Sequence, residues 1–78
     1  MRIDVKMPKV GYDMETGRIV SWSKRVGDHV DRGEVIAEIE TDKAVVEFES
    51  LAAGTLAEIV HAEGAEVAVG STIARLEG

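Results

Sequence analysis

Seventy-eight residues suffice for one small domain, near the size at which only roughly 60% of the unfolded surface becomes buried, which excludes a two-domain catalytic cleft. The chain has no cysteine, and this excludes a disulfide framework, a thiolate metal site and a cysteine nucleophile. Fifteen acidic against nine basic residues, a net charge of −6 and only three aromatics argue against a phosphate-binding or base-stacking surface.

The opening MRIDVKMPK lacks the apolar core of a signal peptide, and no apolar run approaches a membrane span, so a soluble intracellular-type domain is expected. Helical periodicity is poor. Short alternating apolar runs punctuated by glycine predict strands over 2–6, 17–22, 35–41, 44–49, 54–60 and 72–77, with shorter pieces near 29–30 and 66–67. Short strands at regular spacing indicate an all-β sandwich or barrel. Residues 1–27 carry a balance of +3, residues 28–49 a balance of −6 and residues 50–78 a balance of −3. Lys43 and Arg32 are the only bases of the acidic middle stretch.

The chain repeats itself. GRIVSWSKRVGDHVDRGEVIAEIE (17–40) aligns with GTLAEIVHAEGAEVAVGSTIARLE (54–77) without a gap, identical at seven of 24 positions. Three identities are glycines: Gly17/Gly54, Gly27/Gly64 and Gly33/Gly70. Matched glycines suggest turns that require positive φ. Two such halves, neither able to bury its apolar face alone, would clasp about an approximate two-fold axis.

Between the halves, Asp42-Lys43 reads as a two-residue hairpin turn. Folding the flanks back sets Thr41 opposite Ala44, Glu40 opposite Val45, Ile39 opposite Val46, Glu38 opposite Glu47 and Ala37 opposite Phe48. Alternation then turns Ala37, Ile39, Thr41, Ala44, Val46 and Phe48 inward, and Glu38, Glu40, Val45, Glu47 and Glu49 outward. A one-residue slip would expose Phe48 and bury glutamates, so the register is strongly specified. Asp-Lys lacks the glycine that such turns favour, which suggests a tip kept for more than turning. A lysine with a reference pKa of about 10.4 is protonated at neutral pH and makes a poor unaided nucleophile. Covalent modification by an outside enzyme is its better use. His29 and His61 have no ligand spacing with other donors, and no serine has a nucleophile context. Trp22, Met7 and Met14 read as packing residues, while Tyr12 and Met14 also place apolar groups in a loop, 9–16, expected to be exposed.

The segment Glu40-Thr41-Asp42-Lys43-Ala44, with Gly27 and Gly54 around it and the opening MPKVGYDMETGRIVSW, resembles the lipoyl domains of 2-oxo acid dehydrogenase acyltransferases over Val5 to Glu77. The resemblance implies an all-β, flattened barrel or sandwich of two four-stranded antiparallel sheets with pseudo-two-fold symmetry. It implies lipoate amide-linked to Lys43, with Glu40, Thr41, Asp42, Ala44, Gly27 and Gly54 read by the lipoylating enzyme. It further implies that Gly11, Tyr12, Asp13, Met14 and Glu15 contact a thiamin-diphosphate-dependent decarboxylase, with pyruvate as the expected 2-oxo acid. The other implied partners are the acyltransferase core, which passes the acyl group to coenzyme A, and dihydrolipoyl dehydrogenase. Residues 1–78 would then be one non-catalytic carrier domain of a longer acyltransferase, monomeric when isolated. It would bind no metal, nucleic acid or membrane, and would sit in a bacterial or archaeal cytoplasm or a mitochondrial matrix. Biotinyl carriers share this fold but typically flank their lysine with methionines, where this chain has Asp42 and Ala44. An unmodified interaction domain is the other alternative.

Overall fold

The computed structural model describes residues 2–9, 14–41 and 44–78. Eight strands follow one another: β1 (Arg2–Lys6), β2 (Thr16–Trp22), β3 (His29–Val30), β4 (Val35–Glu40), β5 (Val45–Glu49), β6 (Gly54–Ile59), β7 (Glu66–Ala68) and β8 (Thr72–Glu77). They form two four-stranded sheets, in the orders β1-β8-β6-β3 and β5-β4-β2-β7, with every pairing antiparallel. The sheets stack as a sandwich and do not close into a barrel. No helix occurs among the described residues.

The internal repeat is structural. β2, β3 and β4 correspond to β6, β7 and β8, and the correspondence extends beyond the sequence match to β5 and β1. Glu40↔Val45, Ile39↔Val46, Glu38↔Glu47 and Ala37↔Phe48 in one sheet match Glu77↔Arg2, Leu76↔Ile3, Arg75↔Asp4 and Ala74↔Val5 in the other. Even the irregularities repeat, with β2 bulged between Ile19 and Ser21 and β6 between Leu56 and Glu58. Short β3 pairs with β6 and short β7 with β2, so each half donates one strand to the other half's sheet. This exchange interlocks the halves.

The core follows the same symmetry. Ile19/Leu56, Val30/Val67, Ile36/Ile73, Ala37/Ala74 and Ile39/Leu76 are all buried, as are Val5 and Met7. Burying an isoleucine or leucine of this kind stabilises by about 1.5–3 kcal/mol relative to leaving it in water. Symmetry fails at Met7, whose counterpart after β5 is Ser50, a buried polar residue. The Ser50 hydroxyl is satisfied by donating to the Ala52 carbonyl at 2.6 Å. Burial without that partner would cost roughly 1–3 kcal/mol.

The matched glycines divide into two kinds. Gly27, Gly33, Gly64 and Gly70 have positive φ, as expected of turns. Gly17 and Gly54 do not, and the expectation of a turn fails for that pair. They stand in strands where a side chain has no room: a Cβ on Gly54 would lie 2.6 Å from the Glu77 carbonyl oxygen, and one on Gly17 2.7 Å from Met14 Cε.

Candidate functional site

The β4–β5 hairpin is the site proposed from sequence. Its register is the expected one from Ala37↔Phe48 to Glu40↔Val45. Ile39 is buried and Val46 and Phe48 pack partly against the core. Two details differ. The strands stop at Glu40 and Val45, and Ala44 is exposed instead of facing inward. At the end of the sheet the opposing layer no longer covers it. Asp42 and Lys43 lie outside the described residues, as do Gly11, Tyr12 and Asp13.

Hydrogen bonds join the two flanks of the tip. The Thr41 amide donates to the Ala44 carbonyl at 2.8 Å. The Thr41 hydroxyl donates to the same carbonyl at 2.9 Å and accepts from the Ala44 amide at 3.2 Å. On the adjoining strand, Arg18 meets Glu40 at 2.6 Å across the β2–β4 pairing. Sequence reasoning misses Arg18, because nothing local announces that it faces Glu40. A polar recess lies beside the tip, lined by Thr16, Gly17, Arg18, Glu40, Thr41 and Glu66.

The outer face of the hairpin is acidic. Glu38 and Glu47 are directly opposed, an unfavourable like-charge pair. The Ser21 hydroxyl relieves Glu38 in part, donating to it at 3.0 Å. On the symmetry-related face Arg75 replaces Glu38 and meets Glu58 at 2.6 Å and Asp4 at 3.3 Å. Those carboxylates, Glu58 above all, raise the Arg75 pKa. The two faces thus share a backbone but not a charge pattern.

The other predicted site residues are not gathered here. Gly27 donates its amide to Leu56 in β6, and Gly54 packs on Glu77 in β8. Both have partners in the sheet opposite the hairpin. Met14 packs against the core rather than offering an exposed apolar group, whereas Glu15 is exposed and its carbonyl accepts from Val69. Trp22 is half-buried, its indole donating to the His61 carbonyl at 2.9 Å. Among the described residues no His, Asp or Glu cluster could hold a metal ion.

This geometry is shared with known proteins. The family described as biotin-requiring enzyme, which covers biotin and lipoyl attachment, matches residues 3–76. The chain belongs to the biotin/lipoyl family. A lipoyl domain of the 2-oxoglutarate dehydrogenase complex from Azotobacter vinelandii superposes with a TM-score of 0.79 at 39% identity, over 97% of this chain and 96% of that one. The acetyltransferase component of the pyruvate dehydrogenase complex of Zymomonas mobilis is 48% identical over 95% of this chain, which spans 17% of that protein. The succinyltransferase component of the 2-oxoglutarate dehydrogenase complex of Staphylococcus saprophyticus is 48% identical over 91% of this chain, again 17% of that protein. This lipoyl-type domain therefore spans under a fifth of the curated acyltransferases it resembles, and it matches a small non-catalytic region of them.

Proposed function

We propose that this chain is a carrier domain of a 2-oxo acid dehydrogenase acyltransferase, with lipoate in amide linkage to Lys43. The observation that carries the reading is a hairpin tip flanked by Thr41 and Ala44, with Asp42-Lys43 between them, in a chain 39% identical to a lipoyl domain over nearly its whole length. The flanks fit an attached arm. The described lining of the adjoining recess, Thr16, Gly17, Arg18, Glu40, Thr41 and Glu66, is polar and favours an arm that stays in water and is free to visit other sites.

Attachment joins Nζ of Lys43 to the carboxyl carbon of lipoate and breaks the bond from that carbon to the phosphate of an acyl-adenylate donor. The ammonium sheds one proton on becoming the nucleophile and another as the amide forms, and the nucleotide leaves with the bonding electrons. Once attached, the dithiolane supplies the acyl-carrying and redox chemistry. The chain itself contributes display, and tethering raises the effective concentration at each partner site. The partners we assign are a thiamin-diphosphate-dependent decarboxylase, the acyltransferase core and dihydrolipoyl dehydrogenase. Pyruvate is the 2-oxo acid we assign, on the opening MPKVGYDMETG and on the Zymomonas relative.

Intact mass tests the carrier assignment. After incubation with a lipoylating enzyme and its substrates, the wild type should gain one lipoyl group and Lys43→Ala none. No gain by wild type, or a gain by Lys43→Ala, overturns it. Reductive acylation of the loaded domain by pyruvate, 2-oxoglutarate and branched-chain decarboxylases tests the substrate, and pyruvate decarboxylase should be fastest.

A further inference from the structure

Thr41 makes more hydrogen bonds to Ala44 than closing the hairpin requires. The amide-to-carbonyl bond from Thr41 to Ala44 at 2.8 Å already closes the tip, and Glu40↔Val45 below it fixes the register. The hydroxyl then adds two more, donating to the Ala44 carbonyl at 2.9 Å and accepting from the Ala44 amide at 3.2 Å. One side chain thus holds both peptide groups of the residue that follows Lys43. Ala44 is exposed, so water could serve its peptide groups equally well. The hydroxyl therefore restrains Ala44 beyond what the amide-to-carbonyl closure provides.

Resting on the lipoyl reading above, we propose that Thr41 is a positioning residue for modification of Lys43. Only two residues separate Thr41 from Ala44, each with two soft backbone dihedrals. The hydroxyl and amide of Thr41 hold the peptide groups of Ala44, so the two residues that flank the Asp42-Lys43 pair are held together. The β-branch of threonine narrows its own χ1 and keeps the hydroxyl aimed at Ala44. An enzyme that must bring one amine to an activated acyl carbon gains from a lysine presented in one place.

Three variants and three readouts test this. Thr41→Val keeps the branched shape without the hydroxyl, and Thr41→Ser keeps the hydroxyl. The kcat/KM of enzymatic lipoylation should fall roughly tenfold in Thr41→Val, the loss of two ordinary hydrogen bonds, and recover most of the way in Thr41→Ser. Lys43→Ala sets the background. Amide exchange at Ala44 should quicken in Thr41→Val while exchange at Ile39 and Val46 stays unchanged. Acylation of Lys43 by a small amine-reactive reagent, which needs no display geometry, should proceed at the wild-type rate. Equal lipoylation of wild type and Thr41→Val overturns the positioning role and leaves the carrier assignment standing. Faster exchange throughout the sandwich, with labelling also altered, assigns Thr41 to stability and likewise overturns it. A wild type that accepts no lipoyl group overturns the carrier reading and the role of Thr41 together.

Discussion

Away from the tip, the carboxylate of Glu34 meets Lys24 Nζ at 2.6 Å. The Lys24 hydrogen bond, and after it the Asp31 amide at 2.9 Å, hold the Glu34 carboxyl below the usual carboxylate range. Lys24 is raised in return, mainly by the same bond. A depressed carboxyl adds stability that is present above its unfolded pKa and lost as pH falls through the folded one. The raised amine adds stability that is full below its unfolded pKa and lost only as pH climbs through its folded value. Between the two, throughout the neutral range, the pair is intact. Urea midpoints of wild type and Glu34→Gln should therefore differ at neutral pH and converge as the solution is acidified below the usual carboxylate range. A constant difference across that range would show that the ion pair contributes nothing. Both partners are partly exposed, so the effect is small and should shrink with added salt. Neither this pair nor Arg18–Glu40 is legible in the sequence, because each joins residues brought together only by chain reversal.

At the level of the element, the β4–β5 hairpin is legible because strict alternation leaves one register that turns Phe48 and Val46 toward the core and the glutamates away from it. Its ends are not legible. Ala44 fits the inward alternation, yet cover from the opposing sheet decides burial, and that cover ends before the tip. The bulges in β2 and β6 are also hidden, since a bulge adds a residue without changing composition. The hairpin's outer face yields a prediction by comparison with its counterpart. Asp4 opposite Arg75 is an attractive pair, whereas Glu47 opposite Glu38 is a repulsive one on the same backbone. Glu47→Arg should convert the second into the first and stabilise the domain by about 0.2–1 kcal/mol, read as a higher denaturant midpoint with unchanged slope. A lower midpoint would mean that Glu47 has a favourable partner whose attraction outweighs the repulsion from Glu38. A glutamate pair placed at a stability cost fits a surface under another demand, and the nearest candidate for that demand is the lipoylation site proposed at Lys43.

Across the whole molecule, the repeat is the most informative feature of the sequence, because it specifies two equivalent halves before any strand is paired. It also sets a test of the fold as a unit. Arg2 pairs with Glu77 as Val45 pairs with Glu40, so the ends of the chain meet where the repeat calls for a hairpin like the one at the tip. Joining Gly78 to Met1 through a two-residue turn, and opening the chain between Asp42 and Lys43, exchanges the roles of the two ends. β1 and β8 become the hairpin, while β4 and β5 become the first and last pairing. Because the halves are equivalent in strand order and register, one short loop closure is lost as another is gained. Closure entropy changes only slowly with loop length, roughly 0.6 kcal/mol per doubling. The permuted domain should therefore fold cooperatively, with the wild-type pattern of cross-strand contacts by nuclear magnetic resonance. Its unfolding free energy should lie within about 1 kcal/mol of the parent, since the interlocked core of Ile36, Ile73, Ile39 and Leu76 is untouched. A permutant that stays unfolded, or loses most of its stability, would show that the β4–β5 hairpin is a folding requirement without an equivalent in β1 and β8. In that event the symmetry would describe the finished sandwich but not how the chain reaches it.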